Sequence, residues 1–351
     1  MAGIPRVATP TLLILTSLAA AALASDRPRG FPLLESAATL DPETQSARVE
    51  LGRHLFYDRR LSVNRGISCA DCHQQDLAFT DGRARAIGAT GQLHPRGAMS
   101  LANVAYAGSL GWDDPDLTRL EDQALVPLLN EHPVEMGLRG HEDEALARLR
   151  DEPRYAPLFR DAFPMTGDPI SLDRIVVALA AFERTLLSGD SPYDRWLHDD
   201  RPLPEAARRG MRLFFSARLS CSQCHGGFGF SAGPGEFFNT GLYDVDGKGA
   251  YPAGSEGLYR HTGRPEDMGR FRAPTLRNIA VTAPYMHDGS VGTLEEVVET
   301  YARGGRTRNP LRDELIRGFE LTDQQAADLV AFLHALTDDA FLEAPELSNP
   351  W

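Results

Sequence analysis

"GISCADCHQQD", Gly66–Asp76, places two cysteines one helical turn apart with a histidine directly behind the second. "LSCSQCHGGFG", residues 219–229, repeats the arrangement at Cys221, Cys224 and His225, and the 351-residue chain has no other cysteine. Two disulfides would use four cysteines in an oxidising compartment. A zinc ribbon would set its two C-x-x-C pairs much closer together. Neither accounts for a histidine in the same place twice. Covalent haem attachment does: two thiols one turn apart add to the two vinyl groups of one porphyrin, and the next residue reaches the iron. The pattern predicts two c-type haems, one on Cys69, Cys72 and His73 and one on Cys221, Cys224 and His225, with His73 and His225 as proximal iron ligands.

The residues ahead of each motif repeat weakly. "LGRHLFYDRRLSVNRGISCADCH" and "RGMRLFFSARLSCSQCH" share Gly-x-x-Leu-Phe, at Gly52–Phe56 and Gly210–Phe214. This predicts two related cytochrome c-like domains, residues 25–190 and 191–351, meeting near "SGDSPYDRW". "SLDRIVVALAAFERTLLSG" reads as a helix with Ile175, Leu179, Phe182 and Leu186 on one face and Gly189 at its end. "TLEEVVETYARGG" opens on a Thr293/Glu296 capping box and stops at Gly304, and "TDQQAADLVAFLHAL" opens on Thr322/Gln325. Long Gly/Pro-rich connections such as "SAGPGEFFNTGLYDVDGKGAYPAGSEG" lack strand alternation and are too long for turns, so they are expected to wrap a cofactor. The fold class is mainly α, with long irregular loops.

Composition narrows the partners. A formal charge of -13 removes the basic face that nucleic acid needs. Lys248 is the single lysine among 36 basic residues, a bias without functional meaning. At the N-terminus Arg6, the apolar "TLLILTSLAAAALA" and the small residues Ala22 and Ala24 read as an export signal over residues 1–24, too short for a membrane span. The mature chain is expected to be periplasmic, without a stable membrane span.

In their order along the chain, "CADCHQQDLAFTDGR", "GWDDPDLTRLEDQALVPLLNEHPVEMG", "SPYDRW", "CSQCH" and "FRAPTLRNIAVTAPYMHDGSVGTLEEVVE" resemble the bacterial di-haem cytochrome c peroxidase family over essentially the whole mature chain. The resemblance implies a first haem that meets hydrogen peroxide and a second that exchanges electrons. It assigns Glu135 as the acid–base residue of O–O cleavage, Gln123 as a group orienting the bound oxygen, and Pro127 as a pocket wall. Trp112 becomes the tryptophan that couples the haems, beyond its packing value. Trp196 and Trp351 receive no role.

Two positions depart from the peroxidases proper. Where many of those carry a histidine capping the first haem, "AIGATGQ" has Ala89, and His94 does not align with it, so the first haem is expected to be open. Where they supply a methionine to the second haem, this chain has Tyr301, the mark of the MauG-like branch, whose members use peroxide to oxidise another protein. Leu294, Val297 and Val298 share its helix face, so a plain core aromatic is the competing reading; Met268 and Met286 are then the alternative ligands. The stretch "GLYDVDGKGAYPAGSEGLYRHTGRPEDMGRFRAPTLRN" is most similar to the methanobactin-associated di-haem enzymes (MbnH), which act on a tryptophan of a partner protein. The family also holds calcium between the haems. Thr282 and Pro284 match its carbonyl ligands, but the asparagine position is Gly97, one hard oxygen donor fewer.

The expected activity is oxidation of residues of an exported partner protein, with tryptophan foremost, through a high-valent state shared by both haem irons. A detoxifying peroxidase fed by a small cytochrome or cupredoxin is the first alternative. A non-catalytic electron-transfer protein is the second, and an open first haem argues against it.

Overall fold

The structure is a computed structural model that describes residues 27–34 and 41–351; the export signal expected over residues 1–24 lies outside them. The first half carries α1 (Pro42–Phe56), α2 (Cys69–Cys72), α3 (Leu120–Leu129), α4 (Glu142–Arg150), α5 (Tyr155–Ala162) and α6 (Leu172–Glu183). The second carries α7 (Pro192–Asp199), α8 (Glu205–Phe214), α9 (Cys221–Cys224), α10 (Tyr259–Thr262), α11 (Leu294–Ala302), α12 (Asp323–His334) and α13 (Asp339–Glu343). Among the described residues β pairing is confined to isolated bridges. The fold is mainly α, joined by long irregular connections.

The Gly-x-x-Leu-Phe repeat is a helix crossing used twice. A Cβ on Gly52 would lie 1.9 Å from the carbonyl oxygen of Ala178, and one on Gly210 would lie 1.9 Å from that of Asp328. Only glycine lets α1 lie so close on α6, and α8 on α12. The phenylalanines that end the motif then meet matching partners. Phe56 packs 5.2 Å from Phe182 and 6.0 Å from Phe79, while Phe214 packs 5.3 Å from Phe332 and 5.9 Å from Phe230. Each half therefore has its own aromatic core over its own C-x-x-C-H helix. Gly52→Ala or Gly210→Ala must push two helices apart, and each is expected to cost about 3 kcal/mol or more, read as a fall in the denaturant midpoint at unchanged slope.

The capping boxes at Thr293/Glu296 and Thr322/Gln325 form as expected. α6 is shorter than its apolar pattern: Leu186 is buried, but the helix stops at Glu183. Beyond it the chain trades helical bonds for tertiary ones. Leu186 O accepts from Asn103 N at 2.7 Å, and Asp338 accepts from the Ser188 hydroxyl and from the amides of Gly189 and Asp190. The junction between the halves is thus buried and hydrogen-bonded. The Arg277 guanidinium adds a two-point ion pair with Asp194, at 2.8 and 3.0 Å. The last residues, placed with the second half by sequence order, lie on the first: Phe341 packs 5.6 Å from Phe79, and Ala344 and Leu347 join the first core.

Candidate active site: two cavities over the C-x-x-C-H helices

Both motif histidines are aimed by backbone carbonyls. His73 Nδ1 lies 2.7 Å from Phe79 O, and His225 Nδ1 lies 3.1 Å from Pro274 O and 3.3 Å from Phe230 O. A carbonyl only accepts, so each Nδ1 carries the proton and each Nε2 keeps its lone pair, the arrangement that orients a histidine ligand. Phe79 and Phe230 adopt left-handed backbone, at φ 61° and 48°, which turns their carbonyls inward. Burial holds His225 down at about 4 and lowers His73 as well, so both rings are neutral at physiological pH. All four cysteines are free thiols, which sets the disulfide reading aside.

The first cavity lies beside Cys69, Cys72 and His73 and is lined by Gln123, Pro127 and Glu135. The structure thus brings together the residues that the family resemblance named. Gln123 and Pro127 are one turn apart on α3. The following loop docks on the end of that helix, where Met136 N donates to Pro127 O at 2.8 Å and Leu138 N donates to Leu128 O at 2.9 Å. Those bonds fix Glu135, whose carboxyl opens into the cavity and is pushed up to about 7 by burial. Ala89 is not part of the lining; its amide donates to Glu135 O at 2.7 Å. Gly88 lets that segment pass, because a Cβ there would meet Val134 O at 1.9 Å.

Two cavity residues escaped the sequence reading. His94, set aside for want of alignment, lines the cavity with Nε2 3.8 Å from Glu135 Oε1. Its Nδ1 meets both the Arg96 amide, at 3.2 Å, and the Arg96 carbonyl, at 3.3 Å, which turns Nε2 toward Glu135. Glu183, at the end of α6, is 7% exposed, has Oε2 without a hydrogen-bond partner and is pushed up to about 8 by burial. Neither position carries a local motif; only the packing of distant segments brings them in.

The second cavity is larger and spans both halves. Cys221, Cys224, His225 and Tyr301 line it, together with residues 80–83 and Trp112 from the first half. Burial pushes the Tyr301 phenol up, and no hydrogen bond among the described residues relieves it. Such a hydroxyl would ionise readily if its oxygen bound a strong Lewis acid, with the proton passing to a base or to water. Of the two alternative sulfur ligands, Met286 lines this cavity and Met268 does not; Met268 belongs to a neighbouring apolar cluster with Trp112 and Tyr251. Trp112 is held by a bond from Nε1 to Gly97 O at 3.0 Å. Gly97, the position of the lost calcium ligand, therefore spends its carbonyl on Trp112 and its amide on His287 O. Thr282 spends its hydroxyl on Ile279 O and, with Pro284, lines the cavity.

The second cavity holds unspent polar capacity. The Arg272 guanidinium is buried and held down at about 10; it donates to Gly111 O and Met99 Sδ but has no carboxylate partner among the described residues. His287 Nε2 and Asp81 Oδ2 are buried without partners. Buried polar atoms are nearly always satisfied, so the occupant must bring acceptors and donors into an otherwise apolar space. A haem fits: its ring matches the apolar walls, its propionates match Arg272 and His287, and its iron matches neutral Nε2 atoms. Denatured mature protein is expected to retain two haems by intact mass and pyridine haemochrome absorbance. The oxidised enzyme should show one high-spin and one low-spin ferric signal in electron paramagnetic resonance, since position 89 offers no ligand.

Two cytochrome c-like halves, each with a C-x-x-C-H helix under its own cavity, define a di-haem c-type oxidoreductase. Residues 46–202 match the family model described as di-haem cytochrome c peroxidase, and residues 270–306 match a RoxA-like, cytochrome c-like model. The chain is 36% identical to the methylamine utilization protein MauG of Methylorubrum extorquens, over 92% of this chain and 86% of that protein. It is 33% identical to cytochrome c551 peroxidase of Pseudomonas aeruginosa, over 82% of this chain and 78% of that protein. A crystal structure of a MauG-like protein associated with microbial copper homeostasis superposes with a TM-score of 0.88 at 44% identity, covering 93% of this chain and 99% of that one. The chain belongs to the di-haem cytochrome c peroxidase/MauG family and is an oxidoreductase. No helix among the described residues is long and apolar enough to cross a membrane.

Proposed function

We propose that this enzyme uses hydrogen peroxide to oxidise side chains, tryptophan foremost, of an exported partner protein, and that it works in the periplasm. The observation that carries the reading is Tyr301: its unbonded hydroxyl lines the His225 cavity, where the peroxidases proper would place methionine. When bound, the haems supply the iron at which peroxide is reduced and hold the two oxidising equivalents it leaves. The chain does the rest. Glu135, poised near neutrality, takes the proton of the incoming peroxide and returns it to the departing oxygen. Gln123 orients that oxygen, Pro127 shapes the wall, and His94 steadies the Glu135 carboxyl. Trp112, half-buried at the second cavity and tied to Gly97, couples the two sites. A calcium ion between them would rest on the carbonyls of Thr282 and Pro284 and on water, because Gly97 has no side chain to give.

The 44% identity to a MauG-like protein supports this branch over the detoxifying peroxidases. Met286 in the same cavity is the one feature that favours the peroxidase reading, since a sulfur ligand would suit a haem reduced by a small donor. The decisive experiment incubates holoenzyme and peroxide with exported proteins encoded beside it and, separately, with reduced small cytochromes and cupredoxins. Enzyme-dependent mass gain on a tryptophan of one protein is expected. Rapid steady oxidation of the small donors with no protein modified would give the function to the peroxidase.

A further inference from the structure

Trp112 is the near end of an aromatic series that leads out of the second cavity. Its ring stands 6.5 Å from His287, which stacks on Phe271 at 3.8 Å with 13° between the planes. Phe271 lies 6.3 Å from Tyr251, and Tyr251 lies 5.7 Å from Tyr243. His287, Phe271 and Tyr251 are buried, whereas Tyr243 is half-buried and two residues from Val245, which is 61% exposed. The series therefore runs from cavity to surface.

Its chemistry changes along the way. Tryptophan and tyrosine are the side chains in it that yield an electron readily, and a tyrosine does so at neutral pH only with a base to take its phenolic proton. Tyr251 donates to the amide oxygen of Asn239 at 2.8 Å, which takes no proton. Tyr243 donates to the carboxylate of Asp288. Burial pulls that carboxyl up, but bonds from Tyr243 and Ser290 outweigh it and hold it below its usual value, so it stands ionised with an oxygen already on the phenolic hydrogen. Neighbouring His287 and the Arg306 guanidinium are the other ionisable groups facing the pair.

We propose that Tyr243 and Asp288 form the surface terminus of a relay through Trp112, His287, Phe271 and Tyr251, by which oxidising equivalents leave the haems for the protein substrate. The relay rests on the proposed function and names its exit. In each event one electron passes from Tyr243 toward the haems, the Oη–H bond breaks, and the proton moves to Asp288. The phenoxyl left behind takes one electron from the docked substrate and recovers its proton from Asp288. Two events use the two equivalents of one hydrogen peroxide.

The test is freeze-quench electron paramagnetic resonance of holoenzyme mixed with hydrogen peroxide and no protein substrate, in protein containing ring-deuterated tyrosine. A tyrosyl signal that narrows on deuteration is expected in wild type, lost in Tyr243→Phe and weakened in Asp288→Asn. It should be retained in Tyr106→Phe, whose hydroxyl donates to the Pro32 carbonyl rather than to a carboxylate. Resting haem spectra establish that each variant is folded, and Asp288→Asn decides the matter if Tyr243→Phe is not. No tyrosyl signal in wild type, or an undiminished one in both Tyr243→Phe and Asp288→Asn, overturns the relay. Partner modification is scored in a separate reaction, so the relay can fail with the protein-oxidising function intact; loss of that modification in wild type removes the function itself.

Discussion

Tyr301→Phe is expected to change the spectrum and potential of the second haem and to abolish most protein-substrate oxidation, while peroxide still binds at the first. The phenol lines the His225 cavity with no hydrogen-bond partner among the described residues, and burial opposes its ionisation. A ferric iron held in that cavity would offset the cost, and the resulting anionic oxygen would stabilise the higher oxidation states. Without the oxygen, the iron would be left five-coordinate, take water, or be captured by Met286, the one of the two candidate methionines that lines this cavity. Tyr301→Met should act in the opposite sense to a tyrosinate, raising the potential, shortening the life of the two-electron oxidised enzyme and shifting turnover toward small reduced donors. Spectroelectrochemistry of both variants checks this. An unchanged second haem in Tyr301→Phe would reduce Tyr301 to a core aromatic and return Met286 as the ligand.

Glu135→Gln should slow cleavage of bound peroxide by about 10²–10⁴, the usual worth of a positioned acid–base group. The amide keeps the shape and the loop bonds from Met136 and Leu138 but cannot take a proton. The pH profile supplies the second readout. Burial raises the Glu135 carboxyl to about 7, so its ionised, basic form grows as pH rises through neutrality, and the wild-type rate should climb across that range. In Glu135→Gln the climb should vanish. A variant that keeps both the wild-type rate and its slope would move the base to Glu183, the other carboxyl lining this cavity. Stopped-flow spectra of the haems across pH 5–9 would read both quantities.

The residues that the motifs singled out meet in one cavity where a single stretch of chain carries them. Gln123 and Pro127 share one helix, and Glu135 follows in a loop docked on its end, so three residues of one stretch reach one cavity. Residues contributed by distant segments stayed hidden. His94 has no aligned counterpart, and Glu183 sits in an apolar helix pattern where it reads as an ordinary polar interruption. The equivalence of Phe79 and Phe230 was concealed by spacing, since they lie six and five residues beyond their histidines.

What the sequence determined by itself is the covalent chemistry and the duplication. Thiols one helical turn apart, followed by histidine, have a single good use when the pattern occurs twice and uses every cysteine. Gly-x-x-Leu-Phe marked two similar units because a glycine with no Cβ is demanded by the helix crossing itself. Tertiary structure alone decided which of the two candidate methionines shares a cavity with Tyr301, that Arg272 and His287 face that cavity, and that Trp112 opens an aromatic series toward Tyr243. Those facts depend on what faces what across segments far apart in the chain. Burial and hydrogen-bond satisfaction are properties of the packed assembly, and no local pattern of residues encodes them.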